Sequence, residues 1–419
     1  MSPILRLPQE IYDEILDRAK GCLQTMKSCT LVCRDWLPRA RTYLFYDFTF
    51  PPRSYLDLAQ LEGCPEEAME ELQVLIDDMN ASTLAPSLSA IVRRLCIYTE
   101  WLISISRYPT LFSQLPFKCL THFRVRAFNQ RPYDRGGYWF HGYTVDAKPL
   151  SQFLAQQPLL EHLFFEHLIY FTARIGFFEL LHNTASSAAK LHTLCIDGVF
   201  CMMNSLNELD QGHIEKLVAS FPIIKNPPPL RVLKFSPGSF LAEHLAHFFD
   251  ISSLHTLVIT SVNLASLRDL MLVHGRWTIT SLVMNITIDD YSSINDLQEA
   301  FNGLVNVLRL ELILSEDHYS HRLRDFFIIG LPRLRNLCDF TLTITKVQWI
   351  PTLPFFNESL DASLSALPDT TNPRLEAIVF YLPADEKEMA ESVMACLPKT
   401  QGRGLLEIRL GRESDPCEI

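Results

Sequence analysis

Glycine is scarce in this chain, 15 residues in 419. A phosphate-cradling loop needs clustered glycines so that backbone can approach the ligand, and neither a Gly-x-Gly-x-x-Gly nor a Gly-x-x-x-x-Gly-Lys run occurs. That scarcity argues against a doubly wound nucleotide fold. Positive charge is also in deficit. Lys plus Arg number 37 against 48 Asp plus Glu, a net charge of −11, which argues against a dedicated nucleic-acid binder. No apolar run is long enough to span a bilayer, so no membrane partner is expected. Glu10, Asp13, Glu14 and Asp17 interrupt the first apolar stretch, so the N-terminus does not read as a secretory leader. The eleven cysteines are odd in number and never spaced Cys-x-x-Cys, which predicts reduced thiols in the cytoplasm or nucleus. The Asn-x-Ser/Thr matches at Asn80, Asn285 and Asn357 are then without consequence.

Catalytic signatures are missing as well. There is no Gly-x-Ser-x-Gly elbow and no His-Glu-x-x-His pair. His162 and His167, His244 and His247, and His318 and His321 are close in sequence, but each pair lacks the further ligands a metal site uses. The expectation is a chain with no catalytic residue, cofactor or metal of its own.

What the chain does have is apolar residues, 48% of the total with 27 Phe, and more length than one ordinary core accommodates. The first fifty residues are patterned for short helices. Pro8 suits a first helical turn, where its missing N–H is not needed, and Glu10, Asp13 and Glu14 favour the early turns through the helix dipole. Leu7, Ile11 and Ile15 form one apolar stripe, with Gly21 as the stop. A second helix is predicted over 23–32, and Cys29, Val32, Cys33 and Trp36 recur at helical spacing as another stripe. A third is predicted from Pro38 through Arg41, Leu44 and Phe45.

Read in order, Leu7-Pro8-Gln9-Glu10-Ile11, Ile15-Leu16, Leu31-Val32-Cys33-Arg34-Asp35-Trp36, Arg41 and Leu44-Phe45 resemble the F-box. This small helical module docks onto the Skp adaptor of cullin-based ubiquitin ligases. The resemblance implies an adaptor-facing surface of Leu7, Pro8, Ile11, Ile15, Val32, Cys33 and Trp36. It also implies a Skp-family adaptor, and through it a cullin, as partners. The segment 17–26 is more polar than the family's usual run. The bland reading is a helical cap on the domain that follows.

Residues 51–80 carry eight acids against Arg53. Leu72, Leu75, Ile76 and Met79 keep a helical stripe there, so an amphipathic helix with a solvated acidic face is expected. From about residue 88 a triplet recurs, apolar at the first, fourth and sixth positions. It appears eleven times: Val92-Leu95-Ile97, Leu120-Phe123-Val125, Leu160-Leu163-Phe165, Leu191-Leu194-Ile196, Leu230-Leu233-Phe235, Leu254-Leu257-Ile259, Ile279-Leu282-Met284, Val307-Leu310-Leu312, Leu337-Phe340-Leu342, Leu375-Ile378-Phe380 and Leu405-Ile408-Leu410. The last two members of each alternate at period two, as a half-buried strand does, and apolar helix-like runs lie between. The whole resembles degenerate leucine-rich repeats, without the usual asparagine ladder. The fold class expected is α/β: a three-helix module over 1–50, an acidic helical linker over 51–87, an α/β solenoid or horseshoe over 88–412, and a short acidic tail over 413–419.

In such repeats the residues between the buried ones line a common face. The early strands present Arg94, Tyr98, His122, Arg124, Arg126, Phe164 and Glu166. Later ones present smaller groups, Thr256, Val258 and Thr260, or Asp339, Thr341 and Thr343. Residues 81–140 carry eight Lys/Arg against Glu100 and Asp134. This basic, aromatic start suits an acidic or phosphorylated protein target, unless the charges are ordinary solvated ones. The aromatic loop 129–142, with Tyr133, Tyr138, Trp139 and Phe140, is a second candidate contact. The expected function is the substrate-recognition subunit of an SCF-type ubiquitin ligase. The alternative is a repeat scaffold whose first helices only cap the array.

Overall fold

The computed structural model describes residues 8–20, 22–32, 36–50, 66–81, 88–98, 114–126, 144–171, 174–201, 211–236, 244–262, 278–286, 299, 301–302, 304–314, 330–344, 358–382 and 387–411. The fold is α/β, parallel strands alternating with helices as in a leucine-rich-repeat solenoid. The chain divides into two compact units, residues 1–191 with 199–228, and residues 192–198 with 229–419.

The first unit opens with α1 (Gln9–Ala19), α2 (Leu23–Val32) and α3 (Leu37–Leu44). Strand β1 (Asp47–Phe50) follows, then α4 (Glu66–Ala81), α5 (Leu88–Ile91), β2 (Arg94–Tyr98) and β3 (His122–Arg126). After them come β4 (Thr144–Val145), α6 (Ala147–Leu154), β5 (His162–Phe171) and α7 (Arg174–Ser187). Strand β6 (Thr193–Cys201) begins in the second unit, and α8 (Gln211–Ala219) lies in the first. Within the first unit the order is β1-β2-β3-β5, with β4 also on β5 and every pair parallel.

The second unit continues through β7 (Val232–Phe235), α9 (Leu245–Phe248), β8 (Thr256–Val262), β9 (Ser281–Ile286), β10 (Arg309–Leu314) and β11 (Asp339–Ile344). It ends with α10 (Glu358–Thr370), β12 (Ala377–Leu382), α11 (Lys387–Cys396), α12 (Pro398–Gly402) and β13 (Leu406–Leu410). Its strands β6 to β13 pair in chain order, all parallel.

Ten of the eleven triplets are buried at all three positions, Leu120, Phe123 and Val125 at 0% exposure among them. In the first unit the buried side of the sheet is the helix side, where Phe123 packs on Phe153 of α6 and Phe165 on Phe177 of α7. Gly176 brings α7 close to α6, since a Cβ there would sit 3.2 Å from that of Ala147. The eleventh triplet is corrected by the register. Leu406 pairs with Ile378 and Ile408 with Phe380, so the repeat lies two residues earlier than Leu405-Ile408-Leu410 suggests. Leu406, Ile408 and Leu410 alternate equally well, and a two-residue slip keeps every side chain on its face. Leu410, on the last strand, is 37% exposed.

Two devices join successive repeats. At several strand starts one carbonyl accepts two N–H groups from the next repeat. Arg93 accepts from Thr121 and His122, Thr121 from Glu161 and His162, and Leu308 from Cys338 and Asp339, all at 2.7–3.0 Å. The second device is a buried amide. Asn372 donates through Nδ2 to the carbonyls of Leu334 (2.6 Å) and Leu331 (3.3 Å), and Gln157 donates through Nε2 to Phe117 at 2.8 Å. Each amide stands three residues before its repeat's leading Leu, and Phe117 and Leu334 occupy the equivalent position one repeat earlier. These two side chains do part of what the absent asparagine ladder would do. We expect Asn372→Ala to lower the unfolding free energy by about 2–3 kcal/mol, because two buried carbonyls lose their donor. Asn372→Asp should cost more, since it adds a charge facing them. Urea midpoints of the three proteins check the order.

Candidate functional site

The N-terminal helices close a small core of their own. Leu16, Met26, Cys29 and Ala40 are buried, with Ala19, Trp36, Tyr43 and Leu44 packed against them. Asp17 ties α1 to α3. It accepts from Arg39 Nε at 3.1 Å and Nη2 at 2.9 Å, and from the Tyr43 hydroxyl. The Tyr43 hydroxyl first, and Arg39 second, hold the Asp17 carboxyl below its ordinary pKa. Trp36 is half-buried, its ring 5.7 Å from that of Tyr12.

Pro8 is exposed and precedes the helix as its N-cap, not inside the first turn. Ile11 and Ile15 are 41% and 42% exposed, and Leu31 and Val32 are 87% and 61% exposed. The second predicted stripe does not run as one helix, because α2 stops at Val32 and Trp36 caps α3. Within α2 Cys29 is buried, whereas Val32, its last residue, is exposed. Leu7 and Cys33 lie outside the described residues, as does the loop 129–142. Among the described residues eleven large apolar side chains are exposed, and four of them fall between Ile11 and Val32. A module whose core is already closed leaves these four unexplained by its own folding.

The second candidate surface is the sheet face of the first unit opposite α6 and α7. Register places all seven strand residues there in rows. Arg94, His122 and His162 share one row; Cys96, Arg124 and Phe164 the next; Tyr98, Arg126 and Glu166 the third. Arg94 is exposed and 3.6 Å from Asp47. The His122 and His162 rings stack at 4.0 Å. Arg124 lies over the Phe164 ring at 4.6 Å and pairs with Glu166 at 3.4 Å. Arg126 lies over the Tyr98 ring at 5.3 Å. Tyr98, Phe164 and Glu166 are buried, 6%, 4% and 8% exposed, so the aromatic rings act as platforms for guanidiniums and not as free contacts. Cys96 sits among these groups, where burial pushes its thiol pKa up against the pull of Arg126 and Arg124.

The same face of the second unit is self-paired. Lys234, 5% exposed, is 3.5 Å from Asp197, which also accepts from Thr260 at 2.5 Å. The next residue, Gly198, adopts φ 66 and donates its N–H to Ser236 Oγ. Glu311 accepts from Thr343 at 2.9 Å, and Arg309 pairs with Asp339 at 3.3 Å. Lys234 and Asp197 were not singled out from sequence. Their place between buried strand residues was the available signal, since a Lys four residues after a triplet's first Leu, as Lys234 is after Leu230, falls on this face.

Comparison with known proteins adds little. No family model matches the chain, and no curated protein does. Among solved structures, a chain from the crystal structure of the Rad7 and Elc1 complex in yeast is 14% identical, the match covering 97% of this chain and 92% of that one at a TM-score of 0.31. At that level of likeness no role is carried across.

Proposed function

We propose that the chain is a non-catalytic substrate-recognition subunit of a ubiquitin ligase. In this reading α1–α3 hold a Skp-type adaptor, through it a cullin, and the repeats hold the target. The effect is positional, because a target tethered near the ubiquitin carrier reacts at high effective concentration. The observation that carries the reading is the exposure of Ile11, Ile15, Leu31 and Val32 on a module whose core is filled by Leu16, Met26, Cys29 and Ala40. An apolar surface of that kind suits a helical partner better than water.

The wild-type chain is expected to co-purify with a Skp-family adaptor. Leu31→Asp with Val32→Asp is expected to reduce capture at least tenfold without unfolding the module, because both side chains are already in solvent. Failure of the wild-type chain to capture the adaptor would overturn the reading. One observation favours the rival: α3 runs almost directly into β1, whose partner is β2, as a cap on the array would. A cap predicts no capture, and loss of the sheet when residues 1–46 are removed.

A further inference from the structure

Six Lys and Arg side chains among the described residues stand on the strand faces opposite the triplets. Five have a carboxylate within ion-pair distance: Arg94 with Asp47, Arg124 with Glu166, Lys234 with Asp197, Arg309 with Asp339, and Arg409 with Glu407. Arg126 is the exception. Its register partner is Glu166, but that carboxylate is turned to Arg124. The Arg126 Nε is shielded from solvent and has no hydrogen-bond partner, while the side chain as a whole keeps partial exposure. A buried donor without an acceptor is uncommon and calls for an explanation.

We propose that Arg126 is the anchor for an oxyanion, a carboxylate or a phosphate monoester, carried on an extended segment of the target protein. The inference rests on the reading of the repeats as the target-holding part. Three features make Arg126 fit that task. Its guanidinium lies over the ring of Tyr98, itself buried, so the fork is partly held before the ligand arrives and loses less freedom on binding. The covered, unpartnered Nε shows that no internal carboxylate satisfies this guanidinium, and the part of the side chain still open to solvent is what a carboxylate or phosphate meets. Arg124 is two residues away on the same face, roughly 6–7 Å along the strand, so a segment lying along β3 could set an acidic side chain on Arg126 while Arg124 adds to the field. The chain's net charge of −11 disfavours a long polyanion as the occupant, which leaves a short acidic or phosphorylated stretch.

The test uses the full chain, fluorescence anisotropy at low salt, and labelled ten-residue peptides. One is all glutamate, one carries a single phosphoserine in a Gly/Ser context, and one is all glutamine. A ten-base oligo-dT serves as the competing polyanion. Binding by the glutamate or the phosphoserine peptide, with none by the glutamine peptide, supports the proposal, and the tighter of the two names the oxyanion. Arg126→Gln should weaken binding at least tenfold. Arg126→Lys keeps the charge and should recover no more than about twofold, because it lacks the planar fork. Should Arg126→Gln fail to fold by circular dichroism, Arg126→Lys alone carries the test. Equal binding by wild type and variants, full rescue by Lys, oligo-dT binding as tightly as the peptides, or no binding by either acidic peptide would overturn it. Adaptor capture is measured on the same preparations. Capture without peptide binding removes this inference and leaves the ligase reading standing; peptide binding without capture does the reverse.

Discussion

Phe123→Ala is expected to lower the unfolding free energy of the first unit by about 3–5 kcal/mol. Phe123 is at 0% exposure in the middle of β3, against Phe153 of α6 at a ring separation of 5.7 Å. It is flanked in register by Leu95 on β2 and Leu163 on β5, themselves buried. Neighbours held on both sides by strand pairing cannot collapse freely into the vacated volume, so the cavity term adds to the lost transfer energy. The same strand carries His122, Arg124 and Arg126, so the variant should also loosen that face. Urea unfolding followed by far-ultraviolet circular dichroism measures the first effect. A loss below about 1 kcal/mol would mean that the site repacks, and that β3 is not the fixed frame the rows of side chains require. Phe123→Leu, which keeps most of the volume, should cost much less.

The fold was legible from sequence where burial repeats with a fixed spacing. The triplets identify strand, buried face and neighbour order together, because each must bury the same face against the next. Legibility failed where a competing pattern was stronger. Phe45, Phe48 and Phe50 are spaced like every other triplet, and register puts Phe48 beside Leu95 and Phe50 beside Ile97. Phe45 also closes the helical motif, so the stretch read as the end of the module and not as β1. In β4, Thr144-Val145 is too short for any period to show. Of the site, alternation alone brings Arg94, Tyr98, His122, Arg124, Arg126, Phe164 and Glu166 to one face, since side chains two apart share a side. It is silent on which acid each cation chooses. The diagonal pairing of Arg124 with Glu166, which leaves Arg126 without a carboxylate, depends on side-chain reach across the pleat. The exposure of Val32, the last residue of α2, was likewise not legible, because helix ends are weakly encoded.

Asp361→Ala is expected to cost the second unit about 3–4 kcal/mol at neutral pH, from three donors left without their charged acceptor. Asp361 is 1% exposed on α10. Its carboxylate accepts from Lys399 N at 2.9 Å, Thr400 N at 2.8 Å and Thr400 Oγ1 at 2.8 Å. Those N–H groups open α12, whose own N-cap, Leu397, has no side chain able to accept. Asp361 therefore caps a neighbouring helix, a role that nothing in the local sequence announces. Burial by itself would raise the carboxyl's pKa, but the Lys399 and Thr400 backbone donors and the Thr400 hydroxyl outweigh it, and the net direction is down. A folded-state pKa below the unfolded value means the unfolded chain takes up the proton more readily. The stabilisation is then complete above the ordinary Asp value of ~3.9 and is lost as pH falls through and below it. Wild type and Asp361→Ala should differ most in urea midpoint at pH ~7 and converge toward pH ~3. Asp361→Asn, which can still offer one neutral acceptor, should lie between them at neutral pH and show little of the acid dependence. A gap between wild type and Asp361→Ala that stays constant or widens on acidification would show that the residue contributes through packing and not as an ionised cap.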